Sequence, residues 1–299
     1  MTTETRERID ISMFEGHVKP TWCPGCGDFG ILNGVKRALA ELNIAPHQVM
    51  FTSGIGCGSK LPHYLWANEF NSLHGRPVPV ATGIRLAAPN KFTVISVSGD
   101  GDSYGIGVGH LIHTARRNVN MVQIVENNHV YALTKGQYSP ASEPGWITTT
   151  SPEGSIEAML NGLGTALISG ATFVARGFSG DPRGMAEILA RAIDHPGYAL
   201  VEVLQDCVIY NRVNTNKWYR ERVFDLADED HDPGDLRAAI DRTMEWGDRI
   251  PTGVFYENTD RPTYEEQVPA IQRFGGAVDR DLANEFSAVD LAKMLDAYA

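Results

Sequence analysis

Carboxylate and amide side chains follow two apolar segments of this chain, at the point where each segment ends. Phe92–Ser98 leads into the sequence Gly99–Asp102, and Val119–Val125 leads into a pair of asparagines. If both segments are parallel strands, their carboxyl ends meet at one edge of a sheet. Carboxylate, amide and carbonyl oxygens are the ligands that Mg²⁺ prefers, with phosphates and water completing the shell. The candidate ligands are Asp100, Asn128 and the main-chain carbonyl of Val130.

Other phosphate-binding motifs fit this sequence poorly. The glycine-rich stretch Gly105–Gly109 lacks the GxGxxG spacing, and the sequence contains no Walker motif. These glycines are more typical of a helix that packs closely on a sheet. Gly99 and Gly101 instead allow the backbone to approach a phosphate group closely. The combination of Gly99–Asp102 with the later asparagine pair therefore favours a magnesium-bound diphosphate.

The composition is that of an ordinary globular protein and excludes several functional classes. The chain has 299 residues, of which 42% are hydrophobic and 21% are charged, enough for a full core. A net charge of −11 argues against nucleic-acid binding and against an anionic membrane surface. No apolar segment reaches the length of a membrane span, and the polar start lacks a signal core. These features predict a soluble cytoplasmic protein.

Strand-like and helix-like segments alternate along most of the chain, which predicts an α/β fold with a mainly parallel sheet and helices on both faces. Such sheets bind ligands beyond the carboxyl ends of their strands. The predicted strands are 49–52, 92–98, 119–125, 172–176 and 198–204. The predicted helices are 29–43, 78–88, 106–117 and 185–194.

Three regions are predicted from changes in composition. Residues 1–15 form a polar N-terminal segment, and residues 16–215 form the ligand-binding domain. Residues 216–299 form a charged C-terminal extension that contains the acidic stretch Asp228–Gly234. The extension either lies against the domain with little core of its own or wraps around a partner subunit, and both interpretations stay open.

The four cysteines suggest one four-thiolate site. Cys23 and Cys26 form a Cys-x-x-Cys pair before the first helix, Cys57 lies in a glycine loop, and Cys207 follows the last predicted strand. Two disulfides are disfavoured in the cytosol, and a redox pair explains only two residues. One pair with two distant single cysteines suits a [4Fe–4S] cluster, with structural zinc and unrelated buried cysteines as alternatives. A cofactor site that generates a strong reductant would favour the cluster over zinc.

Together these motifs resemble the β subunits of the 2-oxoacid:ferredoxin oxidoreductases, which are thiamine-diphosphate enzymes. The resemblance covers roughly residues 20–215, and within the family it is greatest to the 2-oxoglutarate type. The sequences that carry it are Trp22–Gly27, Gly54–Cys57, His74–Arg76, Ala81–Arg85, Gly99–Asp102 and Asn127–Gln137.

The resemblance assigns roles to individual residues. It implies that Cys23, Cys26, Cys57 and Cys207 bind one [4Fe–4S] cluster, and that Asp100, Asn128 and Val130 bind Mg²⁺. The implied contacts to thiamine diphosphate are Ile55, Gly56, Cys57, Gly58, His74, Gly101, Asp102, Ala132 and Leu133. The candidate catalytic residues are His74, Leu133 and Lys135. Leu133 matches the apolar residue that bends the cofactor, and Lys135 is a candidate to pair with a substrate carboxylate. Gly58 stands where relatives often carry serine, so a hydroxyl contact to the cofactor is absent or comes from Ser59.

The resemblance also implies the reaction and its partners. It implies oxidative decarboxylation of 2-oxoglutarate with coenzyme A to succinyl-CoA, CO₂ and reduced ferredoxin, or the reverse carboxylation. An α subunit would supply the glutamate that contacts the aminopyrimidine ring, and external ferredoxin would accept the electrons. The alternatives are the same reaction on pyruvate or a broader set of 2-oxoacids, and a non-redox thiamine-dependent decarboxylase subunit with a zinc site. A zinc-stapled binding subunit without enzymatic activity is a further alternative.

Overall fold

The computed structural model of the protein describes residues 8–281, 292–293 and 295–296. Residues 1–7 of the predicted N-terminal segment lie outside the described part, as do most residues of the predicted extension beyond residue 281. Within the described residues, no helix is both long enough and apolar enough to cross a bilayer.

A twisted, mainly parallel sheet forms the centre of the described structure. Its eight strands lie in the order β2-β1-β3-β4-β8-β7-β10-β9. The strands are β1 (Val49–Ser53), β2 (Asn68–Asn71), β3 (Thr93–Gly99), β4 (Met121–Asn127), β7 (Phe173–Phe178), β8 (Tyr198–Leu204), β9 (Val223–Asp225) and β10 (Ile250–Glu257). Only the pairing of β10 with β7 is antiparallel. A small antiparallel ribbon of β5 (Val130–Tyr131) and β6 (Gln137–Tyr138) lies outside this sheet.

Helices cover both faces of the sheet, as the alternating pattern predicts. The helices are α1 (Asp28–Glu41), α2 (Pro77–Ala87), α3 (Val108–Arg117), α4 (Gly162–Ile168), α5 (Pro182–Asp194), α6 (Asn216–Arg220), α7 (Leu236–Thr243), α8 (Tyr264–Gln267) and α9 (Pro269–Phe274). The packed pair α1 and α5 covers one face, and α2, α3, α4 and α7 lie on the other. The predicted α/β class with a mainly parallel sheet is confirmed.

Two apolar layers hold the helices on the sheet. Leu39 of α1 and Leu189 of α5 are buried against Phe51 and Val201. On the opposite face, Leu111 of α3 and Leu163 of α4 pack with buried strand residues. The central strands β4 and β8 are buried along their whole length, as expected for parallel strands covered on both sides.

Most predicted elements have the predicted type with small shifts at their ends, but three features differ. A π-helical turn, Gly101–Ile106, separates β3 from α3, so the helix begins at Val108 rather than Ile106. The short elements β2 and α4 were not predicted, because neither shows a clear apolar period. Pro251 lies in β10, which belongs to the main sheet although it falls within the predicted C-terminal extension. The predicted boundary between residues 215 and 216 stays a prediction.

Candidate cofactor site

Four neighbouring parallel strands deliver the predicted ligands to one edge of the sheet. In the order β1, β3, β4 and β8, each strand is hydrogen-bonded to the next in parallel. Cys57, Asp100, Asn128 and Cys207 each follow the carboxyl end of one of these strands, in the same order. The sheet therefore brings together residues that lie up to 150 positions apart in the chain (57 to 207).

A cleft with about 450 Å³ of open space lies at this edge. Its walls are the glycine loop after β1, the turn after β3 and the segment after β4. Every predicted magnesium and thiamine-diphosphate residue lines it, namely Ile55, Gly56, Cys57, Gly58, His74, Asp100, Gly101, Asp102, Asn128, Val130, Ala132 and Leu133. Sequence motifs from four separate segments thus form one continuous surface.

Asp100 lies at the base of the cleft and is almost completely buried. Its carboxyl accepts a hydrogen bond from the Ser139 hydroxyl. Burial raises the pKa of Asp100 to about 7, although Ser139 and the N–H groups of Asn128 and Gly101 lower it. A divalent cation would offset this burial by favouring the carboxylate form. The chemistry of Asp100 therefore fits a metal ligand.

The side-chain amide oxygen of Asn128 stabilises the turn of the adjacent backbone. Its Oδ1 accepts a hydrogen bond from the N–H of Val130 at 3.1 Å. Asn211 donates from Nδ2 to the main-chain oxygen of Asn128 at 2.9 Å, which fixes the turn from the other side. Together with Asp100 and the Val130 carbonyl, Asn128 provides the hard oxygen donors that suit Mg²⁺.

Asp102 connects the glycine loop to the His74 segment. Its Oδ1 accepts hydrogen bonds from the N–H groups of Ile55 at 3.0 Å and Gly75 at 2.9 Å. The same oxygen lies 2.9 Å from Nδ1 of His74. Burial raises the pKa of Asp102, whereas the two backbone N–H groups and His74 lower it. Asp102 therefore positions two walls of the cleft.

The glycines of the cleft explain why larger side chains are excluded. A Cβ on Gly101 would lie 2.2 Å from the Tyr131 ring, and a Cβ on Gly58 would lie 2.4 Å from Oε2 of Glu126. Gly56 has a φ of +143°, a conformation that L side chains rarely adopt. The backbone itself therefore forms the floor of the cleft, which suits close approach by a diphosphate.

The turn between β5 and β6 separates two of the predicted catalytic residues. Leu133 lines the cleft and is 45% exposed. Lys135 has an exposed side chain, a φ of +83°, and a position just beyond Thr134, the last cleft residue of this turn. The structure therefore brings Leu133 and His74 into the cleft but leaves Lys135 at its rim.

The four cysteines are free thiols on neighbouring segments. The indole N–H of Trp22 donates to the main-chain oxygen of Cys57 at 2.8 Å, which joins the first cysteine segment to the glycine loop. Gln205 donates from Nε2 to Sγ of Cys26 at 3.1 Å. Burial raises the pKa of the Cys57 thiol to about 11, and the charges of Asp28, Cys207 and Cys23 raise it further.

These contacts place the cysteines in one neighbourhood, with Cys57 shared between them and the cleft. Four unpaired thiols are the donor set that a [4Fe–4S] cluster requires. Within the described residues, however, no group of three or more His, Cys, Asp or Glu side chains is arranged to hold a metal ion. The predicted cluster and magnesium sites therefore stay predictions.

Two buried carboxyl groups lie between the cysteines and the cleft. Asp28 follows Cys26, and Glu126 of β4 lies against Gly58. Burial raises the pKa of Asp28 to about 6 and that of Glu126 well above its usual range, and the charge of Asp28 raises the latter further. Buried carboxyl groups with raised pKa values therefore lie at the site, as is common in functional regions.

Sequence reasoning missed three residues that shape the site. Ser139 holds Asp100, the Tyr131 hydroxyl donates to the main-chain oxygen of Gly101 at 3.0 Å, and Glu126 lies under Gly58. Glu126 carried a detectable signal, because a carboxyl inside an apolar strand of a parallel sheet is unusual. Ser139 carried none, since it contacts Asp100 across 39 positions of the chain.

Two protein families match the chain. The thiamine pyrophosphate enzyme C-terminal TPP binding domain matches residues 47–203, which include the whole cleft. The C-terminal family of the pyruvate ferredoxin oxidoreductase β chain matches residues 207–273.

Individual relatives agree with these families. The β subunit of a 2-oxoacid:ferredoxin oxidoreductase from Saccharolobus solfataricus is 45% identical over 262 residues, which are 83% of this chain and 85% of the relative. The 2-oxoglutarate oxidoreductase subunit KorB of Mycobacterium tuberculosis is 48% identical over 190 residues, 64% of this chain and 51% of the relative.

A solved structure resembles the chain over nearly its whole length. It is a 2-oxoglutarate:ferredoxin oxidoreductase from Magnetococcus marinus with 2-oxoglutarate, coenzyme A and succinyl-CoA bound. Its TM-score is 0.87 at 39% identity, with coverage of 99% of this chain and 98% of that chain. These similarities favour an oxidoreductase over the non-redox decarboxylase and over a binding subunit. The chain belongs to the family of 2-oxoacid:ferredoxin oxidoreductase β subunits.

Proposed function

We propose that this β subunit, together with an α subunit in the cytoplasm, converts 2-oxoglutarate and coenzyme A to succinyl-CoA and CO₂ and reduces ferredoxin, or runs the reverse carboxylation. The observation that carries the proposal is the single cleft lined by all the residues predicted for thiamine diphosphate and magnesium. The structural neighbour holds 2-oxoglutarate, coenzyme A and succinyl-CoA, which supports this choice of substrates.

Asp100, Asn128 and the Val130 carbonyl would hold Mg²⁺ and, through it, a diphosphate. Asp100 contributes the negative charge, and Ser139 keeps its carboxyl oriented toward the cleft. The glycine loop at Ile55–Gly58 and His74 would surround the diphosphate and the thiazolium ring. Thiamine diphosphate, when bound, supplies the electron sink that loss of carbon dioxide requires.

Leu133 and Lys135 would act on the ring and on the substrate. Leu133 projects into the cleft, where an apolar side chain can hold the two rings of thiamine at an angle. Lys135 lies at the cleft rim, and its ammonium group has no hydrogen-bond or ion-pair partner in the described structure, so this group is available to a substrate carboxylate. Its role is a specificity contact for a dicarboxylic substrate.

Cys23, Cys26, Cys57 and Cys207 would bind one [4Fe–4S] cluster. The cluster, when bound, supplies a one-electron acceptor beside the thiamine site. Cys57 belongs to both sites, because it lines the cleft and lies beside the other cysteines. Cys57 would therefore connect the cleft with the four-cysteine site. Zinc at the same thiolates would leave the electrons without an acceptor.

A partner subunit would complete the cleft. No glutamate of the described residues lines it, although the aminopyrimidine ring needs a carboxyl partner. Large apolar side chains stand exposed around its mouth, including Ile55, Leu73 and Ile106. Such a patch is typical of a protein interface. We therefore assign the missing glutamate, and much of the coenzyme A contact, to the α subunit, with residues 216–299 as a further contact.

The proposal is tested by producing the α and β subunits together without oxygen and assaying a series of 2-oxoacids with coenzyme A and a viologen acceptor. We expect kcat/KM for 2-oxoglutarate to exceed that for pyruvate by at least about tenfold. The isolated β subunit should be inactive, and an Asp100→Asn complex serves as the matched control. A preference for pyruvate would support the second candidate, which the family match at residues 207–273 favours. CO₂ release without acceptor reduction would contradict both.

A further inference from the structure

Glu202 is a carboxylate in the middle of an apolar strand. It lies on β8 between Val201 and Val203, which are completely buried, and its own side chain is almost as inaccessible. A carboxylate in such a place is costly unless it has an opposite charge and hydrogen-bond donors nearby. Both oxygens of Glu202 accept hydrogen bonds, and the residues that donate them indicate its role.

One oxygen of Glu202 binds the buried side chain of Arg176. Arg176 lies opposite Glu202 on β7, and its Nε donates to Oε1 at 2.9 Å. Residues of the predicted C-terminal extension surround this arginine. Its Nη1 donates to the main-chain oxygen of Pro251 at 3.3 Å, and its guanidinium lies 5.8 Å from the centre of the Trp246 ring. The extension therefore holds the cation that balances the charge of Glu202.

The other oxygen accepts hydrogen bonds from the two segments that carry the predicted magnesium ligands. The Tyr104 hydroxyl donates to Oε2 at 2.8 Å, and Tyr104 lies in the π-helical turn that follows Asp100. Nδ2 of Asn127 donates to the same oxygen at 3.1 Å, and Asn127 directly precedes Asn128. Glu202 itself does not line the cleft. One carboxylate oxygen therefore joins the two metal-binding segments from outside the cleft.

Further contacts restrict the two side chains that donate to this oxygen. Oδ1 of Asn127 accepts a hydrogen bond from the N–H of His129 at 3.2 Å, so the Asn127 side chain spans Asn128. A Cβ on Gly162 of α4 would lie 2.1 Å from the Tyr104 ring, which shows how closely this ring is packed. The orientation of Asn128 and the path of the π-helical turn therefore depend on the same carboxylate.

We propose that Glu202 is a positioning residue, which sets the separation of Asp100 and Asn128 so that both bind one Mg²⁺ ion. The inference rests on the proposed function, because it requires magnesium and thiamine diphosphate in the cleft. Replacement of a residue that orients metal ligands typically lowers metal affinity by about 10- to 100-fold. A glutamine in place of Glu202 has a single acceptor oxygen, so it satisfies either Arg176 or the two metal-binding segments.

The test uses the complete αβ complex with Glu202→Gln, titrated calorimetrically with thiamine diphosphate at several Mg²⁺ concentrations. We expect the Mg²⁺-dependent affinity of the folded complex to fall about tenfold. The matched control is Glu265→Gln, because Glu265 also forms a buried ion pair, with Arg85 at 2.6 Å. Glu265 lies at the amino-terminal edge of the sheet, where it accepts from the N–H of Asn120. Both variants should lose thermal stability, whereas the control should bind the cofactor with native affinity.

Tyr104→Phe is the second variant, because it keeps the ion pair with Arg176 and removes only the link to the turn after Asp100. We expect its affinity to fall about fivefold, the equivalent of one hydrogen bond. This variant decides the question if the Glu202→Gln complex does not assemble. Native affinity in either variant would overturn the proposal, as would an equal loss of affinity in Glu265→Gln. A native complex that does not bind thiamine diphosphate with Mg²⁺ would instead contradict the proposed function.

Discussion

The two edges of the parallel sheet differ in how fully their buried polar groups are hydrogen-bonded. At the amino-terminal edge, the Asn118 side chain donates to the carbonyls of Arg261 and Pro262 and accepts hydrogen bonds from Thr172 and the N–H of Tyr198. At the carboxyl-terminal edge, the carboxyl groups of Asp28 and Glu126 are buried, and no amide or hydroxyl of the described structure donates to their oxygens.

The comparison separates stability from function. A buried polar group with all its hydrogen-bond partners stabilises a fold. A buried polar group without a partner lowers the free energy of unfolding by about 1–3 kcal/mol. Buried groups of this second kind lie beside the cleft and the cysteines, where bound cations would offset their energetic cost. We therefore expect substitutions at the two edges to affect different measurements.

The largest effect is expected from Asp100→Asn. Loss of the carboxylate should weaken binding of thiamine diphosphate with Mg²⁺ by at least about 100-fold. Because burial already disfavours the charged form of Asp100, the free energy of unfolding of the free β subunit at pH 8 should not fall. Calorimetric titration and urea unfolding measure the two quantities. Normal binding of thiamine diphosphate with Mg²⁺ by the variant would show that Asp100 is not part of the site.

Asn118→Ala should give the opposite pattern. It leaves Tyr198 N–H and two carbonyls without their partner and places alanine at a φ of +58°. We expect a loss of about 3 kcal/mol in the free energy of unfolding, measured in urea. Affinity for thiamine diphosphate, measured in the remaining folded protein, should be unchanged. A fall in affinity would mean that the two edges are coupled.

Ser139→Ala should weaken binding without unfolding the protein. The Asp100 carboxyl would lose the hydroxyl that orients it, so Mg²⁺-dependent affinity for thiamine diphosphate should fall about tenfold. Thr149→Ala, at an exposed position of the same connection, is the control. Equal affinities for the two variants would show that Ser139 does not position Asp100.

A pair of glycine substitutions sharpens the comparison at the level of the backbone. A Cβ on Gly58 would meet Oε2 of Glu126 at 2.4 Å, whereas a Cβ on Gly83 in α2 meets no atom within 4 Å. Gly58→Ala should therefore destabilise the β subunit and distort the cleft. Gly83→Ala should stabilise it by about 1 kcal/mol through helix propensity. Thermal unfolding of both variants checks the two signs.

The smallest effect concerns pH and the amino-terminal edge. Nε2 of His195 forms a hydrogen bond of 2.8 Å with the Thr172 hydroxyl. Burial lowers the pKa of His195, and the charge of Glu257 opposes this shift. The unfolded chain therefore binds a proton near pH 6.5 that the folded chain does not. Stability should fall as pH decreases below about 6.5, and His195→Gln should reduce this slope. Identical slopes in urea unfolding between pH 5 and 7 would contradict the assignment.

Local patterns predicted much of the fold and most of the cleft. The apolar strands β3, β4 and β8 and the residues that follow them were recognisable because parallel strands are buried along their length. The partners of those residues were not, since contacts such as Ser139 with Asp100 arise only when the chain folds. The π-helical turn after Asp100 was also missed, because only its last residue, Ile106, lies in the predicted helix and the residues before it were assigned to no element.

The most direct test is a cofactor count on the αβ complex purified without oxygen. We predict about four irons per β subunit, one thiamine diphosphate with Mg²⁺, and visible absorbance that bleaches when 2-oxoglutarate and coenzyme A are added. Asp100→Asn should retain the iron and lose the thiamine, and Cys207→Ser should do the reverse. One zinc per chain, without iron or colour, would contradict the account of this edge as a paired thiamine and iron–sulfur site.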